Sequence, residues 1–398
     1  MTGDEGAALR ELRSGSWMKG QRLAEQSIGH GRDPSVPWPP LIPPTSPRAV
    51  LSSPELEAPV RLNPLNAETS LAALQPAVTP TRGFFIRSHF PTPSLDASTW
   101  RLGVGGEVEK PRKWTLAELR DLPTTRVVAT LECAGNSRSR LPNIAEGELR
   151  WGDRAIGAAV WEGVPLSVLL EESRPRQDAH QIVFTGAEKG SSNDPARRFS
   201  RGLSIDTMDR VADILIATEM NGEPLSPDHG WPARLIVPGW YGMAWVKWLS
   251  RIHLRKEAFR GYYQATRYVY AYQQNGERLT KPVTRIRVKS LIISPLPGDR
   301  LAWGRSHIIS GKAWSGSGPV TRVEVDAGSG WMPASVRSGD GPYDWCSWEF
   351  AWSPERRGPV LLRVRATDAE GETQPEEPFL NEFQYGMNAV HSVEVIVS

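Results

Sequence analysis

One segment, residues 127–138, constrains the fold of this chain more than any other. It reads Val-Val-Ala-Thr-Leu-Glu-Cys-Ala-Gly-Asn-Ser-Arg. The unbroken row of β-branched and apolar residues at its start predicts a buried strand. The Gly135-Asn136 pair then predicts a tight turn, because these two residue types tolerate unusual backbone dihedral angles. Cys133 is therefore expected where a core strand ends and a loop begins.

A cysteine at such a position has two interpretations. It is either a small buried hydrophobe, or a thiolate that binds a soft metal or acts as a nucleophile. Arg138 follows five residues later in the chain, where its charge could keep the thiol ionised. The only other cysteine is Cys346, and there is no CxxC or HExxH pattern, which argues against zinc. A metal at Cys133 would have to share ligands that the protein does not supply.

The run Leu131 to Arg138 resembles the molybdenum-cysteine motif of the sulfite oxidase family. The resemblance implies that Cys133 binds molybdenum, whose other ligands are the ene-dithiolate of molybdopterin and oxo groups. It also implies oxygen-atom transfer from this molybdenum-molybdopterin cofactor to a small anionic substrate, for which sulfite is the first expectation. Further motifs of the family follow in the family's order between about residue 80 and the last residue.

Those motifs supply the remaining candidate site residues. Arg87 and His89 lie two apart before a proline, so that they share one face of a strand; by spacing alone they would be an exposed polar pair. The resemblance assigns cofactor contacts to Phe85, Ile86, Arg87, Ser88, His89, Cys133, Glu188, His229, Arg234, Trp245, Val246 and Lys247. It assigns the substrate pocket to Arg87, Arg138, Trp151 and Tyr268.

The chemistry of individual positions agrees with these assignments to different degrees. Taken singly, His229 and Arg234 would be surface or capping residues, but a pterin phosphate needs fixed guanidinium donors such as Arg234. Glu188 stands where the family usually has Asp, which keeps the acceptor and adds a methylene group. The basic loop of residues 189–201 is expected to be solvated. Ala244 stands where the family often has Arg, so one basic contact is expected to be absent.

The last part of the chain has a different pattern. From residue 284 onwards, short alternating runs are separated by Gly, Pro or Asp, which predicts a β-sandwich. The resemblance implies an immunoglobulin-like dimerisation domain, and hence a homodimer. In the family an Arg from this domain reaches the substrate, but residues 381–391 contain none. This departure weakens the expectation of sulfite itself.

Together these patterns predict an α+β protein. A mixed α/β molybdopterin-binding domain of sulfite oxidase type, residues 61–283, is followed by an all-β immunoglobulin-like sandwich, residues 284–398. Residues 1–60 are rich in proline and poor in core signal, which predicts an extended arm that packs on the body through Trp17 and Trp38, or a disordered leader.

Composition narrows the partners. The net charge of +2 does not indicate nucleic acid as a partner, and no apolar run is long enough for a membrane span. Without a secretory signal the default location is the cytoplasm, or the periplasm if a signal has been removed. No haem is predicted, because no CxxCH or cytochrome b5-like segment occurs, so an external electron acceptor, such as a cytochrome c, is expected. Two alternatives stay open: a sulfoxide or oxoanion reductase on the same fold, and a non-catalytic binding or structural homologue.

Overall fold

The computed structural model describes residues 56–57, 59–191, 193–205 and 213–398. The predicted N-terminal arm, with Trp17 and Trp38, falls almost wholly outside the described residues. Among the described residues, no helix is both long and apolar enough to cross a membrane.

The first part of the described chain is mostly strand with a few short helices. Its strands are β1 (Arg61–Leu62), β2 (Leu65–Asn66), β3 (Leu102–Gly106), β4 (Arg112–Trp114), β5 (Thr125–Glu132), β6 (Ile156–Pro165), β7 (Gln181–Gly186), β8 (Ser200–Ser204), β9 (Leu215–Met220), β10 (Glu223–Pro224), β11 (Arg234–Ile236), β12 (Leu249–Arg255), β13 (Val269–Gln274) and β14 (Glu277–Pro282). Its α-helices are α1 (Leu71–Leu74), α2 (Leu116–Arg120) and α3 (Leu166–Ser173). Single 3₁₀ turns span Thr81–Gly83, Arg138–Arg140, Pro227–His229 and Gly242–Ala244, and a π-helical turn spans Tyr263–Arg267.

These strands form one antiparallel sheet, one mixed sheet and two small hairpins. One sheet has the order β10-β9-β6-β5, with β11 also paired to β9, and the other has the order β4-β3-β12-β7-β8. The β9–β10 turn consists of Asn221-Gly222, a pair that is typical of hairpin turns, with both residues at positive φ. Helix α2 begins with a capping box: the Thr115 hydroxyl accepts the Glu118 N–H, and the Glu118 carboxylate accepts the Thr115 N–H.

The last part of the described chain is the predicted β-sandwich. Its strands are β15 (Lys289–Ser294), β16 (Arg300–Leu301), β17 (His307–Trp314), β18 (Val320–Asp326), β19 (Trp331–Pro333), β20 (Ser335–Arg337), β21 (Cys346–Trp352), β22 (Gly358–Asp368) and β23 (His391–Val397). One sheet runs β15-β17-β21-β20 and the other β16-β23-β22-β18-β19. Valine and leucine side chains from both sheets fill the space between them, together with Cys346. The predicted fold class is confirmed.

The sandwich packs directly against the first domain. Trp314, Trp345 and Tyr385 belong to the core of the first domain although they come from the sandwich part of the chain. The Lys289 ammonium, at the start of β15, lies 2.9 Å from the carboxylate of Glu132 at the end of β5. The sandwich therefore contacts the strand that leads into Cys133.

Candidate active site

Cys133 occupies the position that the sequence predicts, directly after the buried strand β5. Its N–H donates to the Ala155 carbonyl (2.9 Å), and its carbonyl accepts the Asn136 N–H (2.9 Å). The Asn136 side chain completes the turn, because its oxygen accepts the Ala155 N–H (3.0 Å) and its amide donates to Glu132 (2.9 Å). The left-handed residue of this turn is Ser137, with φ of 69°, and not the Gly135-Asn136 pair that the sequence indicates.

Gly135 has a different reason to be glycine. A Cβ atom at this position would lie 2.7 Å from a terminal nitrogen of Arg138, which is closer than real Cβ contacts allow. The absence of a side chain at Gly135 thus lets the Arg138 guanidinium pack against the turn. The packing of the Arg138 guanidinium in this turn therefore depends on glycine at position 135.

Two cavities meet at Cys133. The one that we call the inner groove is lined by Phe85, Arg87, Ser88, His89, Leu131, Cys133, Ala134, Glu188, Phe199, Asp228, His229, Arg234, Gly242, Met243, Trp245, Lys247, Trp248 and Tyr268. The other, the outer chamber, has a volume of about 320 Å³ and is lined by Arg61, Arg87, His89, Cys133, Gly135, Arg138, Gly147, Glu148, Leu149, Trp151, Asp194, Pro195, Tyr262, Tyr263, Arg267, Tyr268 and Tyr385. Cys133, Arg87, His89 and Tyr268 line both cavities.

The inner groove contains a buried arginine without a counter-charge. The Arg234 guanidinium donates to the His229 carbonyl (3.2 Å) and lies 5.2 Å from the centre of the Trp161 ring. It forms no ion pair with any residue that the structure describes, and its buried Nε has no hydrogen-bond partner. Burial lowers the pKa of Arg234 to about 9. A buried guanidinium in this state fits an anionic ligand, such as a phosphate group.

Lys247 and His229 also line the inner groove. The Lys247 ammonium donates to the Ser88 hydroxyl (2.7 Å) and to the Asp228 carbonyl (2.8 Å). Burial, and after it the charge of Arg234, lowers the pKa of Lys247 to about 7. The same two causes, together with the charge of Lys247, lower the pKa of His229 to about 3. His229 is therefore neutral, and its Nε2–H donates to the Thr81 carbonyl at 3.2 Å.

Glu188 faces the same groove from the end of β7. Burial raises the pKa of its carboxyl group to about 8, so it carries a proton at neutral pH. Its Oε2 atom is buried and has no hydrogen-bond partner among the residues that the structure describes. The orphaned polar atoms of Glu188 and Arg234 fit a ligand that has both hydrogen-bonding groups and negative charge, as a pterin phosphate has.

The substrate end of the site combines neutral and charged groups. The Tyr268 hydroxyl lies 2.8 Å from Nε2 of His89. Burial raises the pKa of Tyr268 to about 12, and burial, followed by the charge of Arg87, lowers the pKa of His89 far below its usual value. Both groups are therefore neutral. Arg87 donates to Asn66 (3.3 Å) and to the Ser88 carbonyl, and it forms no ion pair within the described part of the chain.

Comparison with known proteins agrees with this architecture. Residues 89–263 match the oxidoreductase molybdopterin binding domain, and residues 270–398 match the Mo-co oxidoreductase dimerisation domain. Human mitochondrial sulfite oxidase is 33% identical over 389 residues, which cover 89% of this chain and 69% of that protein. The chain belongs to the sulfite oxidase family. Cys133, Arg234 and Lys247 lie together in the cavity described above, and their roles in binding the cofactor stay predictions.

Other members of this family are equally similar in sequence. The inducible nitrate reductase of soybean is 32% identical over 80% of this chain and 39% of that protein. The chain spans 62% of the length of fruit fly sulfite oxidase. Among solved structures, the sulfane dehydrogenase SoxCD of Paracoccus pantotrophus superimposes with a TM-score of 0.72 at 27% identity, covering 94% of this chain and 89% of that chain. Family membership alone therefore does not select the substrate.

Within this family site, not every predicted residue faces a cavity. The side chains of Ile86 and Val246 are buried in the core and line neither the inner groove nor the outer chamber. The backbone of Ile86 pairs with Ala67, and the Val246 carbonyl accepts the Leu235 N–H. Their neighbours in the same motifs point into the groove, because alternate side chains of an extended segment face opposite sides.

Arg138 and Trp151 line the outer chamber, as the resemblance implies, but Arg138 is not a free charge. Its guanidinium forms an ion pair with Glu148 (3.0 Å) and donates to the carbonyls of Leu149 (2.9 Å) and Phe383 (3.0 Å). Burial raises the pKa of the Cys133 thiol, and Arg87 and Arg138 oppose this rise only in part. A cationic ligand would therefore be needed to hold Cys133 as a thiolate.

The structure also shows site residues that sequence reasoning missed. Arg201, predicted in a solvated loop, is buried in β8, donates to the Tyr263 carbonyl and lies 5.6 Å from the centre of the Tyr268 ring. That prediction was wrong, because the aromatic residues that cover Arg201 are distant in sequence. Tyr385 stacks on Tyr268 with ring centres 5.1 Å apart. Tyr385 lies in residues 381–391, where the arginine expected from the resemblance is absent. That absence was the one sequence signal that pointed to this stretch.

Proposed function

We propose that this chain is a molybdenum-molybdopterin oxidoreductase that oxidises sulfite to sulfate and passes the electrons to an external acceptor, such as a cytochrome c. One observation carries the proposal. Cys133 lies at the junction of two cavities: the inner groove contains the buried Arg234 guanidinium, which has no ion-pair partner among the described residues, and the outer chamber contains Arg87, which likewise has none. A cofactor with a phosphate and a small anionic substrate would both reach the thiol from opposite sides.

The residues divide between these two tasks. Arg234 would bind the pterin phosphate, while His229, Lys247 and Glu188 would bind the rest of the pterin, and Cys133 would bind the molybdenum. When bound, the molybdenum supplies oxygen-atom transfer and two-electron redox chemistry. On the chamber side, Arg87 would hold the substrate anion by charge-assisted hydrogen bonds.

His89 and Tyr268 would keep a neutral, hydrogen-bonded pair beside the reacting atoms. Their burial favours the uncharged form of both groups. Such a pair adds no charge to the site and can hold a polar substrate atom by its remaining hydrogen-bonding capacity. Trp151 limits the chamber on another side.

A reductase is the second candidate. Two observations favour it: plant nitrate reductases match this chain at the same identity as sulfite oxidases, and residues 381–391 contribute Tyr385 to the chamber and no arginine. Nitrate or a sulfoxide would then be the substrate. The likeness to a sulfane dehydrogenase adds sulfane sulfur compounds to the substrates that need testing.

The first test is the molybdenum and pterin content of the protein purified from a host that makes molybdopterin. We expect close to one atom of molybdenum per chain, and reduction of an external acceptor that depends on sulfite. Thiosulfate is tested in the same oxidation assay. Nitrate and methionine sulfoxide are tested in the reverse direction, with a reduced dye as the electron donor. Turnover with nitrate or the sulfoxide but not with sulfite would refute the oxidase proposal in favour of the reductase.

Two cysteine variants make the cofactor assignment specific. Cys133→Ser should keep the circular dichroism spectrum and lose molybdenum-dependent turnover, because the hydroxyl is a poor soft-metal ligand. Cys346→Ser is the matched control, since Cys346 is buried in the sandwich away from both cavities. Normal turnover in Cys133→Ser, or equal loss in both variants, would contradict the ligand assignment.

We also infer that the protein is a homodimer formed through residues 285–398, because residues 270–398 match a dimerisation domain. Trp303, Ile308, Met332 and Leu361 of the sandwich are large apolar side chains at the surface. Their exposure is consistent with a partner surface on this domain. The absence of haem and the cytoplasmic location stay predictions.

A further inference from the structure

The outer chamber contains more charge than a simple anion pocket requires. Besides Arg87 at its junction with the inner groove, it is lined by three further arginines and by two acidic residues, namely Arg61, Arg138, Arg267, Glu148 and Asp194. Which of these charges is available to a ligand depends on the pairs that they form with one another.

Glu148 pairs with two of the arginines at once. One carboxylate oxygen lies 3.0 Å from Arg138, and the other contacts the guanidinium of Arg267. The side chains of Glu148 and Arg138 are 8% and 2% exposed, whereas that of Arg267 is 28% exposed. A single buried carboxylate therefore offsets part of the positive charge of both guanidinium groups.

The surrounding contacts hold this arrangement in place. Arg138 donates to two backbone carbonyls in addition to Glu148 and lies 5.3 Å from the centre of the Tyr385 ring, and Arg267 lies 4.9 Å from that of Phe383. Arg87 lies at the end of the outer chamber that meets the inner groove, and it has no acidic ion-pair partner in the described part of the chain. Arg87, Arg138 and Arg267 carry three positive charges and Glu148 one negative charge, so a ligand at this end meets a net charge of +2.

The size of the chamber points in the same direction. Its volume of about 320 Å³ is roughly ten times the share of one water molecule in the liquid, about 30 Å³. An anion of three or four oxygens around sulfur fills only a part of such a space. The chamber therefore has room for a substituent on the anion, and the groups that line this space are mostly polar.

We propose that Glu148 is the specificity-determining residue of this chamber: by offsetting one guanidinium charge, it shifts the selectivity of the chamber from dianions towards singly charged sulfur oxyanions. The inference rests on the proposed function in that the outer chamber is the substrate pocket. The physical reason is that a negative charge at Glu148 repels a dianion twice as strongly as a monoanion at the same position.

Sulfate and methanesulfonate are the matched probes. Both have a tetrahedral sulfur, and they differ in that a methyl group replaces one charged oxygen. Calorimetric titration of the purified protein, with its molybdenum content measured, gives the dissociation constant of each. We expect Glu148→Gln to shift the ratio of the two constants at least tenfold towards sulfate, since the variant removes the negative charge and keeps the shape.

Glu146→Gln is the matched control. Glu146 lies two residues away on the same loop, is exposed and lines neither cavity. The substitution removes the same charge from the protein, and the ratio should stay as in the unchanged protein. An equal shift in both glutamate variants would show a general charge effect and would overturn the proposal.

A second variant tests the inference if Glu148→Gln does not fold. Arg267→Gln lies at a partly exposed position and leaves Glu148 to act on the chamber with one cation fewer. The ratio should then move in the opposite direction, towards methanesulfonate. An unchanged ratio in either chamber variant, or weaker binding of both anions to the same extent, would overturn the role of Glu148.

The outcome can be separated from the proposed function. A protein that contains molybdenum and oxidises sulfite, but whose anion ratio does not respond to Glu148→Gln, refutes only the specificity inference. A protein without molybdenum refutes the proposed function, whereas a shifted ratio in that protein still supports the role of Glu148, because the residues that bind the anion belong to the chain itself.

Discussion

The ion pair between Lys289 and Glu132 gives the sharpest test of how the two domains support the site. The Lys289 ammonium lies 2.9 Å from one Glu132 oxygen, and the two side chains are 6% and 1% exposed. Glu132 also accepts the Asn136 amide (2.9 Å) and the Trp314 indole N–H (2.9 Å). Glu132 directly precedes Cys133, so this network joins the sandwich to the turn that carries the thiol.

Lys289→Met removes the cation and keeps most of the side-chain volume. Glu132 would remain as a buried charge that accepts hydrogen bonds from the neutral side chains of Asn136 and Trp314. Removal of one partner from a buried ion pair typically costs about 3–5 kcal/mol, because the remaining charge stays desolvated. We expect a loss of this size in the free energy of unfolding.

The double variant Lys289→Met with Glu132→Gln should recover part of that loss. Gln at position 132 carries no charge, and its amide oxygen can still accept one of the two neighbouring donors. Recovery should be incomplete, because the donor left over is buried without a partner, at a cost of about 1–3 kcal/mol.

The assay is urea unfolding, followed both by circular dichroism and by tryptophan fluorescence, since coincident transitions show that the change is two-state. Lys256→Met is the control, because Lys256 pairs with Asp178 at 2.5 Å while both side chains are about half exposed. This control should show no measurable loss. The reasoning fails if Lys289→Met is no more destabilising than Lys256→Met, or if the double variant is less stable than Lys289→Met alone.

Three further predictions follow from single features of the structure. Gly135→Ala should lower the free energy of unfolding by about 1–3 kcal/mol, measured by urea unfolding, because the new Cβ overpacks against Arg138. Gly105→Ala is the control and should cost far less, because its Cβ would meet nothing within 4 Å. Equal losses in the two variants would contradict the packing argument. Burial raises the pKa of Asp344 to about 6, above its usual 3.8, so the folded state binds the proton more tightly and this contribution to stability grows as the pH falls through 6. From pH 7 to pH 5 the wild type should therefore gain roughly 1 kcal/mol relative to Asp344→Asn, and parallel pH profiles of the two proteins would refute this. Light scattering at micromolar concentration should give twice the chain mass of 44.1 kDa, and the mass of one chain would refute the dimer.

Several features of the fold follow from short-range patterns and were therefore predictable. The β-branched run places β5 and ends it before Cys133, the Thr-x-x-Glu pattern begins α2, and Asn221-Gly222 closes the β9–β10 hairpin. Each of these depends on the residues of the segment itself. Where neighbours from other strands intervene, the local pattern misleads: Gly163 and Pro165 are typical of a turn, but residues 161–165 form the second half of β6, because β9 pairs with all of them and β5 with residues 161–163.

The candidate site shows the same division. The types and order of its residues identify the cofactor groove from the sequence, because Cys133, His229, Arg234 and Lys247 lie in recognisable motifs. Their charge states were not predictable. Arg234 lacks a counter-charge, and the pKa of Glu188 is raised to about 8, only because the folded chain removes both groups from water.

The sequence by itself determined where the strand ends at Cys133 and which residue types surround it, since local patterns decide backbone conformation. Only the tertiary structure decided that Glu148 offsets the charge of Arg138, that Arg201 is buried beside Tyr268, and that Tyr385 stacks on Tyr268 from the sandwich side. These contacts join residues far apart in the chain. Burial and charge pairing depend on such neighbours, which no local pattern contains.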